Sequence, residues 1–168
     1  AEVVFYDEAS ERREEVAERL AGERGATLVR PYEDAEVVAG QGTVGLELAA
    51  QAGAAQAALD AVLVPCGGGG LVAGTALVLA KVCPAAELWA VEPQGFDDTR
   101  RSLAAGERLE IAPGAKSFCD ALLAPTPGKL TFALNRRLLA GGLAVDDATV
   151  AAAMRDAFTY LKGVAEPG

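Results

Sequence analysis

The chain alternates between short apolar runs, which are typical of buried strands, and longer stretches with one apolar face, which are typical of helices. Four runs are predicted as strands: residues 2–6, 26–29, 61–64 and 88–91. Six stretches are predicted as helices: residues 11–24, 43–52, 71–82, 97–105, 130–140 and 148–162. Strands that alternate with helices and carry almost no charge favour an α/β fold, a mostly parallel sheet with flanking helices.

Polar residues and glycines set the predicted helix boundaries. Ser10 is expected to cap the first helix, Thr43 the second, after a Gly-Gln-Gly turn, and Asp146 the last. Gly141 and Gly142 are expected to end the fifth helix, because glycine adopts the left-handed conformation that closes many helices.

The composition is that of a folded domain, with 51% hydrophobic and 23% charged residues in a chain of 168. The 24 acidic and 15 basic residues leave a net charge of −9, which has the wrong sign for binding nucleic acid or an anionic membrane surface. The sequence contains no histidine, which excludes catalytic triads, metal sites and acid–base catalysis built on imidazole.

The cysteines and the longest uncharged stretch give information about the cellular location of the protein. The cysteines, Cys66, Cys83 and Cys119, are odd in number and widely spaced, which favours a reducing cytoplasm over a disulfide framework. Cys66 is expected to pack in the core. The uncharged stretch 61–80 is long enough to cross a membrane, but its five glycines and one proline argue against a spanning helix.

Four consecutive glycines, residues 67–70, lie between a predicted strand and a predicted helix. Each costs roughly 0.5–1 kcal/mol of backbone entropy relative to alanine, so bare backbone must be needed there. Free N–H groups at a helix start, together with the helix dipole, suit a phosphate group. A tight turn packed against neighbouring backbone is the alternative.

The same run supports a second interpretation. Residues 68–73 satisfy the G-x-G-x-x-G/A pattern of dinucleotide-binding turns, and Glu92, at the end of the next strand, could hold a ribose. That pattern would define an NAD(P)- or nucleotide-binding oxidoreductase module. A non-catalytic module that keeps the phosphate loop is a third possibility.

Several segments resemble a known family. Residues 64–74, VPCGGGGLVAG, resemble the tetraglycine phosphate loop of fold-type II pyridoxal-phosphate enzymes, specifically the threonine/serine dehydratase and serine racemase group. Residues 40–43 (GQGT), 90–93 (AVEP) and 166–168 (EPG) resemble further segments of that group in the same order. The resemblance implies a tryptophan-synthase-β-like fold, bound pyridoxal phosphate and an amino-acid substrate. It covers about the middle half of a full-length member.

The resemblance implies which residues bind the cofactor. The backbone amides of Gly67, Gly68, Gly69, Gly70 and Leu71 would surround the phosphate of pyridoxal phosphate.

A metal site is also implied by the resemblance. Glu92, the Phe96 carbonyl and Asp98 take the positions of ligands to a divalent cation in that group, and such oxygen ligands suit Mg2+ or Ca2+. The alternative is that Asp97 and Asp98 cap a helix and that Glu92 is a solvated acid at a strand end.

The chain lacks two motifs that the family uses for catalysis. The S-x-K-x-R-G-A motif, whose lysine binds the cofactor covalently, and the S-S-G-N-H loop are both absent. The four lysines, Lys81, Lys116, Lys129 and Lys162, are expected to be surface residues. No catalytic residue is therefore assigned within this chain, which is expected to be inactive alone.

The resemblance predicts a fragment of a longer enzyme. Residues 1–34 would be the last unit of the small domain and residues 35–168 the first part of the large cofactor-binding domain. The longer enzyme would deaminate L-threonine or L-serine with loss of water, giving a 2-oxo acid and ammonia; serine racemase is the alternative. It is expected to be a homo-oligomer without nucleic-acid or membrane partners.

Overall fold

The structure is a computed structural model that describes residues 2–7 and 10–168. The chain forms two compact units, and the boundary between them in the sequence lies between Arg30 and Pro31. Helix α1, Arg13–Arg24, belongs to the first unit and ends at Gly25, which is in the left-handed conformation with φ of 60°. Ser10 does not cap this helix. Its hydroxyl donates to the Asp7 carboxylate at 2.6 Å instead.

The two strands predicted in the first unit are wrong. Residues 2–7 and 26–30 are irregular, and apolar side chains in them are open to solvent, with Phe5 90% and Val29 70% exposed. A strand forms only when a neighbouring strand accepts and donates its backbone hydrogen bonds. The described residues of this unit provide no such neighbour, so apolar sequence alone does not produce a strand.

The second unit is built on a sheet of three parallel strands: β1, Ala61–Pro65, β2, Glu87–Pro93, and β3, Gly141–Val145. Their order is β1-β2-β3, with Val64 opposite Ala90 and Ala90 opposite Gly142. The predicted parallel α/β fold is therefore confirmed, and so are the predicted strands at 61–64 and 88–91.

Five α-helices accompany this sheet: α2, Ala35–Ala54; α3, Gly70–Val82; α4, Asp98–Ala105; α5, Lys129–Leu138; and α6, Asp147–Asp156. A 3₁₀ turn covers Asp120–Leu122, and a π turn covers Ala157–Leu161. The core forms where Val72 and Leu79 of α3 pack against Val62 and Val64 of β1 and Leu88 of β2. In the described part of the chain, no helix is long and apolar enough to cross a membrane.

The second helix begins eight residues earlier than predicted. The Asp34 carboxylate caps α2 by accepting the backbone N–H groups of Glu36 at 2.8 Å and Val37 at 3.1 Å. The predicted turn at residues 40–43 is instead the middle of the helix. Of its two glycines, Gly42 serves packing, because a Cβ on it would lie only 3.1 Å from the Gly74 carbonyl oxygen of α3, whereas a Cβ on Gly40 would have no such neighbour.

A further correction concerns Gly141 and Gly142, which begin β3 and do not close a helix. A Cβ on Gly141 would lie 2.6 Å from the Trp89 ring of β2, so the missing side chain makes room for tryptophan in the neighbouring strand. The cap at Asp146 is confirmed, since its carboxylate accepts the Thr149 N–H at 2.7 Å.

Candidate functional site

The glycine run joins β1 to α3 at the carboxyl end of the sheet. Gly67 to Gly69 form the turn, and Gly70 is the first residue of the helix. Gly69 has φ of 90°, a left-handed value that glycine adopts without the strain other residues would incur. Gly68, Gly69 and Gly70 are buried, so their backbone groups are shielded from solvent within this chain.

The N–H groups of the run have no acceptor in the part of the chain that the structure describes. Within the described residues, the amides from Gly67 to Leu71 donate no hydrogen bond, whereas Cys66 N–H before them donates to Val91 and Ala73 N–H after them donates to Gly69. A buried amide without an acceptor costs about 1–3 kcal/mol. Three of these amides, on Gly68, Gly69 and Gly70, belong to buried residues, and those of Gly67 and Leu71 belong to half-buried ones. Together, at the positive end of a helix dipole, they form a site that an anion would satisfy.

Packing also explains the glycines. A Cβ on Gly68 would overlap the Tyr32 ring, one on Gly70 would lie 2.9 Å from the Tyr32 Cβ, and one on Gly67 would lie 3.2 Å from the Leu122 Cα. The run is thus a tightly packed turn, although its neighbours are mostly side chains and not the backbone of the alternative interpretation. Close packing around the Cβ positions is compatible with anion binding, because it gives the N–H groups of the run no acceptor among the described residues.

Residues 31–34, which sequence analysis leaves without a role, connect the run to two helices. Tyr32 lies against the glycines, the Glu33 carboxylate accepts the Leu130 N–H at the start of α5 at 3.0 Å, and Asp34 caps α2. The Asp34 cap has a sequence signal, an acid before a helix. The Glu33 contact has none, because its partner is 97 residues away.

The carbonyl groups of the run face α5. The Thr131 hydroxyl donates to the Gly68 carbonyl at 2.6 Å, and the Asn135 amide donates to the Gly69 carbonyl at 3.5 Å. Both side chains are fully buried. Sequence analysis missed them, because only the fold brings α5 to the glycine run.

The predicted metal residues lie at the end of β2 and the start of α4. The Glu92 side chain is 1% exposed, and its two oxygens accept the backbone N–H groups of Thr99 at 2.8 Å and Arg100 at 2.7 Å. Glu92 is therefore a buried helix cap and not the solvated acid of the alternative interpretation. Burial raises the pKa of Glu92 to about 7, although those amides oppose the shift.

Asp98 has a similar environment. Burial, with the nearby charge of Glu92, raises the pKa of Asp98 to about 7. Its Oδ2 atom is buried and has no hydrogen-bond partner in residues 2–7 and 10–168. Burial also acts on Asp97, but ion pairs to Arg100 and Arg101 outweigh it and lower the pKa of Asp97. Among the described residues, no three histidine, cysteine, aspartate or glutamate side chains are arranged to hold a metal ion.

Cys66 lies directly before the glycine run and is 1% exposed, which confirms its expected place in the core. Its sulfur lies 3.5 Å from the Thr99 hydroxyl. Burial, with the charge of Glu92, raises the pKa of the thiol to about 12, so Cys66 is protonated and unreactive at neutral pH. The four lysines are all exposed, as expected.

The second unit is a parallel α/β unit in which a glycine turn follows the first strand, and the N–H groups of that turn are placed where they could bind an anion. The sequence profile of the family described as "Pyridoxal-phosphate dependent enzyme" matches residues 1–167. The chain belongs to this family.

Several members of this family are similar to the chain over nearly its whole length. The chain is 36% identical to serine racemase of Oryza sativa subsp. indica over 98% of its own length, and 37% identical to L-threo-3-hydroxyaspartate ammonia-lyase of Pseudomonas sp over 99%. A crystal structure of a threonine deaminase from T.th. is similar with a TM-score of 0.89 and 42% identity, over 92% of this chain.

The matched share of those proteins is smaller. The chain spans 47% of the rice racemase, 51% of the Pseudomonas lyase and 52% of the threonine deaminase structure. It therefore corresponds to a part of such a protein, as predicted. A dinucleotide-binding module is not favoured, because the Glu92 carboxylate that would hold a ribose is buried and bonded to α4.

Proposed function

We propose that this chain binds the cofactor phosphate of a pyridoxal-phosphate dependent ammonia-lyase, and that the longer enzyme converts L-threonine or L-serine into a 2-oxo acid and ammonia. The observation that carries the proposal is the run of five N–H groups at the start of α3 that have no acceptor among the described residues. Oriented amides and a helix dipole can hold a phosphate without a lysine or arginine.

The residues of this chain would bind and orient. The amides from Gly67 to Leu71 would fix the cofactor by its phosphate, which sets the position of the ring. When bound, the cofactor supplies an acceptor for the electron pair left as a substrate Cα–H bond breaks. Because all four lysines of the chain are exposed, we assign proton transfer at that carbon to a residue of the longer enzyme outside this chain.

The relatives' names favour deamination, since they include a threonine deaminase and a hydroxyaspartate ammonia-lyase. Serine racemases of similar identity make racemisation the second candidate. Supplying the longer enzyme with L-serine and measuring the 2-oxo acid and D-serine formed separates the two reactions. We expect the 2-oxo acid to dominate.

The role of the phosphate is tested with two non-covalent probes. Pyridoxine 5′-phosphate and pyridoxine differ only in the phosphate, and neither has the aldehyde that bonds to lysine. The apo form of the longer enzyme is expected to bind the phosphate form at least about a hundredfold more tightly, or about 2.8 kcal/mol. Isothermal titration calorimetry measures both dissociation constants, and NAD is expected to give no binding heat.

Equal affinity for the two probes would contradict the assignment of the glycine run to the phosphate. Saturable binding of NAD, with competition by nicotinamide nucleotides, would instead support the oxidoreductase interpretation.

We propose further that Mg2+ or Ca2+ binds between Glu92 and Asp98, with the Phe96 carbonyl oxygen as a third ligand. The buried Asp98 Oδ2 atom without a partner supports this. A carboxylate offers about four acceptor positions, and two backbone amides occupy two of those of Glu92. A cation would allow both carboxylates to ionise where burial otherwise raises the pKa values of both to about 7.

Asp98→Asn is expected to abolish stabilisation of the longer enzyme by Mg2+ or Ca2+. A cation at a hundredfold excess over its dissociation constant adds about 2.7 kcal/mol to the stability of the wild type, which thermal melts with and without chelator measure. Asp97→Asn is the matched control and should keep the metal response, because Asp97 pairs with Arg100 and Arg101. The same metal response in the wild type and in Asp98→Asn would contradict the site.

Three further proposals concern the domains of the longer enzyme, its oligomeric state and its cellular location. We assign residues 1–34 to the small domain and residues 35–168 to the large domain of a homo-oligomeric cytoplasmic enzyme. The division of the chain after Arg30 supports a boundary close to that position. Light scattering on the longer enzyme measures its oligomeric state.

A further inference from the structure

We propose that Thr131 and Asn135 of α5 are positioning residues, which hold the peptide groups of the glycine run so that their N–H groups face the cofactor phosphate. The proposal rests on the assignment of the run to that phosphate. It adds a second element, α5, to a site that the sequence places only at the start of α3.

The contacts come from one face of α5. Thr131 and Asn135 are four residues apart, which places them one above the other on a helix. The Thr131 hydroxyl donates to the Gly68 carbonyl at 2.6 Å, and the Gly128 N–H, before the helix, donates to the same oxygen at 3.3 Å. The Asn135 amide donates to the Gly69 carbonyl at 3.5 Å, and the Ala73 N–H of α3 donates to the same oxygen at 3.0 Å. Consecutive carbonyls of the run are thus both directed towards α5.

Peptide planarity converts these carbonyl contacts into N–H directions. In a trans peptide, the carbonyl of one residue and the N–H of the next point to opposite sides of the chain. Holding the Gly68 carbonyl towards α5 therefore directs the Gly69 N–H away from α5. Holding the Gly69 carbonyl does the same for the Gly70 N–H. Both of these amides belong to the proposed phosphate site and have no acceptor among the described residues.

The peptide group between Gly68 and Gly69 needs such a contact most, because glycine rotates freely and a peptide group between two glycines can turn over at little steric cost. The next peptide group is also held by the Ala73 N–H, so Asn135 adds a second contact there. The approach of α5 also accounts for Gly69. A Cβ on it would lie 2.8 Å from the Asn135 Nδ2 atom and 3.1 Å from the Thr131 hydroxyl oxygen. The glycine and the two polar side chains are therefore fitted to each other.

Asn135 is not explained by stability alone. It is fully buried, and its Oδ1 atom has no hydrogen-bond partner among the described residues. A buried polar atom without a partner is unfavourable, and an apolar side chain at this position would not carry that cost. A polar residue at this position has a reason if its amide directs the Gly69 carbonyl.

The test uses the apo form of the longer enzyme with the probes pyridoxine 5′-phosphate and pyridoxine. Thr131→Val keeps the side-chain shape and removes the hydroxyl. It is expected to weaken binding of the phosphate probe about tenfold and to leave pyridoxine binding unchanged. Thr131→Ser restores the hydroxyl and is expected to bind the phosphate probe within about threefold of the wild type.

Two further variants keep the test decisive. Asn135→Leu is expected to weaken binding of the phosphate probe about threefold without lowering the melting temperature, and it decides the proposal if Thr131→Val does not fold. Thr43→Val is the matched control, because the Thr43 hydroxyl also donates to a glycine carbonyl, that of Gly40 at 2.8 Å, but on the exposed face of α2. It is expected to bind both probes like the wild type.

Three results would overturn the proposal. Wild-type affinity for the phosphate probe in folded Thr131→Val or Asn135→Leu would show that α5 does not position the run. An equal loss of affinity for both probes would show a general structural role. If the wild type itself does not prefer the phosphate probe, the proposed function fails first, and no phosphate remains to be positioned.

Discussion

A purified 168-residue chain is expected to give no detectable turnover of L-serine or L-threonine, even with saturating pyridoxal phosphate. The reaction needs a lysine that bonds to the cofactor and moves the substrate α-proton. The chain has four lysines, all of them exposed, and none of them lies in the S-x-K-x-R-G-A motif, which this chain lacks. The expected effect is complete loss of activity relative to the longer enzyme.

The assay follows the 2-oxo acid formed by equal molar amounts of the chain, verified by intact mass, and the longer enzyme. The longer enzyme is the positive control for substrate, cofactor and buffer. Turnover by the verified chain that exceeds cofactor without protein would contradict the prediction. Replacing each lysine in turn by arginine would then identify the residue responsible.

The elements that sequence analysis placed correctly depend on local signals. Strand β1 and helix α3 follow from an apolar run, a glycine turn and a second apolar stretch, which are adjacent in sequence. The Asp146 cap of α6 is equally local, since its carboxylate binds an amide three residues away. The phosphate-binding interpretation of the glycine run needed only the order of strand, glycines and helix.

What the sequence did not show depends on residues that meet only after folding. Gly141 is a strand residue because Trp89 occupies the space of its missing side chain. Thr131 reaches the Gly68 carbonyl across 63 residues of sequence. The roles of both residues depend on how helices and strands pack together, and a single sequence contains no local pattern for that packing.

In the first unit, the sequence predicted strands that do not form. Its predicted strands had suitable side chains, but Phe5 and Val29 are exposed and no described residue of the unit pairs with their backbone. Strand formation is a property of two chain segments, whereas a helix such as α1 makes its hydrogen bonds internally. A local pattern therefore suffices to predict α1, but it does not suffice for the two apolar segments beside it.

Gly74→Ala is expected to lower the free energy of unfolding of the longer enzyme by about 3 kcal/mol, the upper part of the usual range for overpacking a core. A Cβ on Gly74 would overlap the Val38 carbonyl oxygen and lie 2.6 Å from the Gly42 backbone nitrogen, both in α2. Backbone atoms cannot rotate aside as a side chain can, so α2 and α3 would have to separate. Urea denaturation of the apo form measures the change.

The matched control is Gly40→Ala in α2, because a Cβ there meets no atom within 4 Å. Removing a helical glycine without a clash is expected to stabilise the protein by roughly 0.5–1 kcal/mol. The two substitutions are chemically identical and lie in the two helices that pack together, so opposite signs would isolate close packing as the cause. A change of less than about 1 kcal/mol for Gly74→Ala would show that the two helices are not held in contact at this glycine.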